Sequence, residues 1–256
     1  MLYNNEFKEI NNLEKSYLLG LWQADGALIV SNKAYSRCTK LKLKEEDKYL
    51  LEIIHNKYPF FTKPKLEVHK SGKKSYYIYS FNKNLFNDLY NNGILPRKSF
   101  ENANKSYMPN LSKELFFAYL HGLFDGDGTI SMDKYNHIRI DLVGKNKILF
   151  EKIIETLALY NIKSKLYYRK SRDYYMIRIS IKESVQSFIN NCKNTPFCLK
   201  RKFPKYFNID WTSIPDYKSR GLKIKEAIKR KNAKLTLNRV NCWKAKEKSM
   251  LISSQV

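Results

Sequence analysis

The sequence predicts an α+β chain made of two pseudo-symmetric αββαββα halves, with two antiparallel sheets and a pair of equivalent helices packed at the centre. Three observations predict it. One stretch occurs twice, as Leu18-Leu19-Gly20-Leu21-Trp22-Gln23-Ala24-Asp25-Gly26 and as Leu120-His121-Gly122-Leu123-Phe124-Asp125-Gly126-Asp127-Gly128. The alternating pairs Leu66 to Ser80 and Leu166 to Ser180 repeat at nearly the same interval. The order of helical and strand patterns between these landmarks is also the same. Copies about a hundred residues apart mark two domain-sized units, not a solenoid. The halves are placed at 1–105 and 106–212, followed by a basic extension at 213–256.

Each repeated stretch reads as the last turns of a helix. Leu13, Tyr17, Leu18, Leu21 and Trp22 follow helical spacing, as do Leu115, Phe116, Tyr119, Leu120, Leu123 and Phe124. Ser112 suits an N-cap and Glu114 the first turn, where the helix dipole favours an acid. Gly26 and Gly128 are expected to end the helices as C′ glycines. Gly20 with Ala24, and Gly122 with Gly126, put small residues four apart on one face. Glycine inside a helix costs about 1 kcal/mol against alanine, so close approach of another backbone is expected, and the other copy is the natural partner.

After the first copy, Ala27–Val30 and Thr39–Lys44 read as strands. Thr39-Lys40-Leu41-Lys42-Leu43-Lys44 alternates with period two, so one face is apolar and the other presents lysines. A helix is expected from about Glu46. Leu66 to Lys70, a turn at Ser71-Gly72-Lys73-Lys74, and Tyr76 to Phe81 form a hairpin with a basic tip. A helix over Asn84–Tyr90 leads to Gly93-Ile94-Leu95-Pro96-Arg97-Lys98. The second half repeats this with strands at Thr129–Met132 and His137–Val143 and a helix at Lys147–Tyr160. A hairpin at Leu166–Lys170 and Tyr175–Ile181 follows, then a helix at Ser184–Cys192 and a closing Leu199-Lys200-Arg201-Lys202.

Composition narrows the partners. The 256 residues carry 48 Lys or Arg against 24 Asp or Glu, a net charge of +24, which points to a polyanion and first to nucleic acid. Hydrophobic residues make up 43%, enough to bury a core. No apolar run approaches the length needed to span a bilayer, and Met1 to Glu9 has no apolar leader core, so an intracellular protein is expected. The four cysteines, Cys38, Cys192, Cys198 and Cys242, have no zinc spacing. Their scatter suits a reducing compartment. Abundant Lys, Asn, Ile and Tyr is what AT-rich coding produces, as in a phage, an organelle or an AT-rich bacterium. The tail from Asp216 to Val256 holds 12 basic and 3 acidic residues, and Gly221–Lys231 could form a basic helix.

Asp25 and Asp127 would sit at two adjacent helix C-termini, beside the negative ends of the dipoles and beside each other. A divalent cation would relieve that repulsion, and all-oxygen ligands suit Mg²⁺ or Ca²⁺. The spacing of Asp125, Asp127 and Asp133 fails as an EF-hand, because Gly128 comes too early and the closing Glu is missing. Walker, HEXXH and Ser-His-Asp patterns are not found either. His121, inside the second helix, is expected at the interface and not as a ligand.

On these residues the chain resembles the LAGLIDADG homing endonucleases, in the single-chain form with two motifs, over roughly residues 13 to 210. It departs from the pattern at Leu19, Trp22 and Gln23 in the first copy and at His121, Phe124 and Gly126 in the second. The resemblance implies a saddle of two sheets over a DNA duplex and a metal-dependent double-strand break in a long asymmetric target. It implies metal held by Asp25 and Asp127, with the Ala24 and Gly126 carbonyls beside them. Mg²⁺ is the expected cofactor, with Ca²⁺ supporting binding without cleavage. Lys98 and Lys200, each 73 positions after its acid, match the family's basic active-site residues. Lys42, Lys44 and Asp141 are candidates to position water. For DNA contacts the sheet faces and hairpin tips offer Lys40, Lys42, Lys44, Lys70, Lys73, Lys74, Tyr77, Tyr79, Arg139, Tyr168, Arg169, Arg172 and Arg178. A monomeric, intron-encoded nuclease is the leading expectation. The alternative is a group I intron maturase binding RNA through the same fold, and a DNA-binding regulator without cleavage is third.

Overall fold

The computed structural model describes residues 5–31 and 36–215, together with Arg230 and Lys234. The expected basic helix at 221–231 and most of the extension lie outside the described residues.

The first half runs α1 (Leu13–Asp25), β1 (Gly26–Ser31), β2 (Ser36–Lys44), α2 (Lys48–Lys57), β3 (Lys65–Val68), β4 (Lys74–Ser80) and α3 (Lys83–Asn91). The second runs α4 (Lys113–Asp127), β5 (Gly128–Met132), β6 (Ile138–Gly144), α5 (Lys147–Leu159), β7 (Lys165–Arg169), β8 (Tyr174–Ile179) and α6 (Lys182–Cys192). Both sheets are antiparallel and share one order, β1-β2-β4-β3 and β5-β6-β8-β7. The expected α+β architecture is therefore the observed one.

Local chemistry sets the helix starts. Asn12 accepts from the Lys15 N–H at 2.9 Å and caps α1. Ser112 caps α4, Asn82 caps α3, and Asn146 caps α5. Period two sets the sheet faces. Thr39, Leu41 and Leu43 of β2 are buried against α2 and α3 in one core with Ile78 of β4, while Lys40, Lys42 and Lys44 point the other way.

α1 and α4 pack against each other through their small residues, and the contact is reciprocal. A Cβ on Gly20 would lie 1.9 Å from the Tyr119 carbonyl oxygen, and one on Gly122 would lie 1.9 Å from that of Tyr17. No side chain fits there. A Cβ on Gly126 would stand 2.2 Å from the Ala24 methyl, so at this level only one of the two facing residues can be alanine.

The helix ends differ from expectation. Gly26 and Gly128 are not left-handed C′ residues, because their φ, ψ values are −85°, 161° and −97°, 162°. Each chain passes straight from helix into strand. Glycine is required by space: a Cβ would lie 2.3 Å from the Trp22 ring in the first half and 2.1 Å from the Phe124 ring in the second.

Candidate active site

The two helix-to-strand passages bring Asp25 and Asp127 side by side at the floor of a cleft of about 660 Å³. Lys42, Lys44, Asp47, Arg201 and Lys202 also line it. A second, smaller cleft of about 220 Å³ meets the first at Asp127 and is lined by Ala24, Lys98, Val143 and Lys145. By strand register Gly26 pairs with Leu41 and Gly128 with Leu142, so Lys42 and Val143 are equivalent positions, as are Lys44 and Lys145.

Both carboxylates are open to water on the cleft side and surrounded by protein elsewhere. That desolvation, with the Asp127 charge beside it, pushes the Asp25 carboxyl up to about 6, against the pull of Lys202 and Lys98. Asp127 is raised for the same first reason, while Lys98 and Lys202 hold it down. Burial lowers Lys98 despite its two acidic neighbours. Burial and the nearby Arg201 bring Lys202 down to about 8.

The lysines reach the backbone at the helix ends. Lys98 Nζ donates to the Ala24 carbonyl at 3.0 Å. Lys202 Nζ donates to the carbonyls of Phe124, Gly126 and Gly128 at 3.0, 3.2 and 2.8 Å. Orphan carbonyls at a helix C-terminus are natural partners for a cation. Lys98 is therefore where the sequence expectation places it, beside the two acids. Lys200 is not. Its ammonium lies on the protein surface, 4.6 Å above the Tyr49 ring, and Lys202 fills the cleft in its stead. The equal spacing from the acids misleads because the two connectors differ in length. Lys98 follows α3 by seven residues, whereas Lys202 follows α6 by ten. The Lys200-Arg201-Lys202 run was the available signal, but spacing from a distant acid could not choose within it.

Asp125, two residues before Asp127, is fully buried. It accepts the Tyr17 hydroxyl at 2.6 Å and the Leu199 N–H at 2.7 Å, and burial nevertheless raises its carboxyl to about 7. His121 is buried 3.6 Å from it among the rings of Tyr17, Phe203 and Phe207, as an interface residue, and burial lowers it to about 3.

The outer faces of the sheets are basic and aromatic, and each carries an acid, Glu67 on edge strand β3 and Asp141 on inner strand β6. On the first, Glu67 bridges Lys40 at 3.2 Å and Lys42 at 3.1 Å, while Tyr77 and Tyr79 stack 6.1 Å apart with Phe81 edge-on beyond them. On the second, Asp141 holds Arg178 through two bonds at 2.6 and 2.8 Å, with Arg139 3.7 Å away. Lys70 and Lys73 are exposed at the first hairpin tip, and Arg169 and Arg172 at the second. Two expected contacts face elsewhere. Tyr168 pairs with Tyr175 on the helix side of its sheet and donates to Asp173 at 3.0 Å, so Tyr167, one residue earlier, is the outward ring. Lys74 shares the inward register of Tyr76 and Ile78 and lies 3.6 Å from Glu45.

The donor set fits a hard divalent ion: Asp25 and Asp127 present carboxylate oxygens, and the repulsion between them is what a cation would relieve. Among the described residues no group of three or more His, Cys, Asp or Glu could hold a metal by themselves. Solvent and phosphate oxygens would complete such a shell. The Ala24 and Gly126 carbonyls each accept from an ammonium, Lys98 and Lys202, so any cation there would share the oxygen with a positive neighbour. No helix among the described residues is long and apolar enough to cross a membrane.

Residues 114–193 match the family model of the LAGLIDADG-like domain. Among solved structures, the homing endonuclease I-WcaI bound to its DNA recognition sequence is 17% identical, with a TM-score of 0.53 over 80% of this chain and 91% of that one. Mesophilic variants of the homing endonuclease I-DmoI are 19% identical, with a TM-score of 0.49 over 74% and 93%. No curated protein matches the sequence. The second half thus contains a LAGLIDADG-like domain, the first half is built on the same plan, and the chain as a whole has the two-motif LAGLIDADG homing endonuclease fold.

Proposed function

We propose that this chain is a site-specific DNA endonuclease, acting as an intracellular monomer, that hydrolyses one phosphodiester in each strand of a long asymmetric duplex target. One observation carries the reading. Two carboxylates meet at the ends of reciprocally packed helices, and a lysine ammonium stands beside each. Asp25 and Asp127 would hold Mg²⁺, which when bound lowers the pKa of water and stabilises the leaving oxygen. Lys98 and Lys202 each lie in a different cleft and would offset the charge that builds on the phosphate there. Residues 1–105 and 106–212 would each read one half-site with the outer face of a sheet. Their side chains differ, which favours an asymmetric sequence. The extension at 213–256 would add phosphate contacts.

The test is selection of binding duplexes from a random library in Ca²⁺, followed by Mg²⁺, with Asp25→Asn and Asp127→Asn in parallel. Wild type should cut both strands, and the variants should bind and lose cutting by at least about 100-fold. Tight, selective binding without cutting by the wild type would overturn the reading in favour of a regulator.

A second reading, an RNA-binding intron maturase, is favoured by the row Tyr77, Tyr79 and Phe81 beside Lys40 and Lys65. Half-buried and exposed rings next to cations on one sheet face suit stacking of unpaired bases. A failure to select any duplex, with tight binding to structured RNA, would move the assignment there.

A further inference from the structure

Resting on the nuclease reading above, we propose that Asp47 and Tyr49 of the first half are positioning residues for Lys202 of the second, and that this docking makes the two cleavage centres unequal.

The connector after α6 is held from across the helix interface. The Lys200 N–H donates to the Tyr49 hydroxyl at 2.7 Å, and that hydroxyl donates to the Cys198 carbonyl at 2.8 Å. Arg201 Nε lies 3.0 and 3.3 Å from the two oxygens of Asp47, which is 2% exposed. A buried carboxylate without that guanidinium would be costly, so the pair is held firmly. On the other side the Leu199 N–H is bound by Asp125. Residues 199, 200 and 201 are each anchored, and the next residue is Lys202, with its ammonium on three carbonyls.

The equivalent positions in the other half cannot do this. Asn146 stands for Asp47 and Ile148 for Tyr49, and Ile148 is 60% exposed with no hydrogen-bonding group. Asn146 bonds the Ser106 carbonyl and the Lys147 N–H bonds the Asn104 side chain, eight and six residues past Lys98 and not beside it. Gln23 stands for Asp125, and its Oε1 has no hydrogen-bond partner among the described residues. Around Lys98 itself the connector is tied within its own half, through Asn92 to Phe7 and Asn102 to Pro96, and Arg97 pairs with exposed Glu101. Lys98 itself reaches one carbonyl.

Misplacing a reacting group by about 1 Å can cost about a hundredfold in rate. Loosening the dock should therefore slow one strand only. The experiment uses the full chain on its selected duplex with both strands end-labelled. Single-turnover rates are read for each strand in Mg²⁺, affinity in Ca²⁺, and folding by thermal melting. Lys202→Met identifies the strand served by that lysine. Tyr49→Phe and Asp47→Asn should each slow that strand by roughly tenfold, leave the other within about twofold, and leave affinity unchanged, so that nicked duplex accumulates. Asp47→Glu, which keeps the charge opposite Arg201, should restore most of the rate. Equal slowing of both strands, or none, in folded variants would overturn the docking inference alone. A wild type that cuts neither strand would overturn the nuclease reading and the inference with it.

Discussion

The two halves match at the glycines of the central helix pair and differ in their connectors and outer faces. At the helix pair, a Cβ on Gly20 or on Gly122 would meet the opposing carbonyl at the same 1.9 Å, and both strands leave their helices through a glycine backed by a ring. In the connectors after α3 and α6 the likeness ends, since Lys202 binds three carbonyls and Lys98 one. A shared axis makes each surface the template of the other, so a change on one side must be matched on the other. The outer faces and connectors answer to no such constraint. There Glu67 bridges two lysines on one sheet, whereas Asp141 grips an arginine on the other.

The largest expected effect is at the axis. Gly20→Ala and Gly122→Ala should each destabilise the fold by more than about 4 kcal/mol, and by similar amounts, because each Cβ would lie inside an opposing backbone oxygen. Chemical denaturation of both variants checks this, and a large difference between them would refute the equivalence of the two sides.

The connectors should respond unequally. Lys202→Met is expected to lower cleavage of one strand by about 100-fold or more, whereas Lys200→Met should stay within about threefold at equal DNA affinity. Strand-resolved cleavage assays decide it, and a strong Lys200 effect would restore the position suggested by spacing alone.

The smallest effect is a pH dependence peculiar to the second helix. His121 is held near 3 by burial, against about 6.5 in an unfolded chain. A depressed folded value gives stability that is present above pH 6.5 and is lost as pH falls toward 3. His121→Leu has no such stability to lose. Its deficit against wild type should therefore narrow between pH 7.5 and pH 4.5 in denaturant titrations. A constant deficit would show that the ring is not buried neutral.

What could be read in advance was local. Helical spacing located α1 and α4, small residues four apart announced a close helix contact, and alternation in Thr39–Lys44 assigned its two faces. The misplaced side chains all involve relations between separate segments. Tyr168 was one residue out of register, since a single step reverses a strand's face. Lys200 is two residues out, because the second connector is three residues longer than the first while the stretch from the acid to the preceding helix end is one residue shorter. The contact between Asp47 and Arg201 joins residues 154 positions apart, and nothing near either one announces it.

By itself, then, the sequence determined two copies of one αββαββα plan, a backbone-to-backbone helix pair and a strongly basic surface, because propensity, period and charge act over a few residues. Only the tertiary structure decided which lysine reaches the carboxylates, which glycines are demanded by a neighbouring ring and which half holds the other's connector. Those outcomes depend on loop lengths and on surfaces brought together only after both halves have packed, and no short-range pattern encodes them.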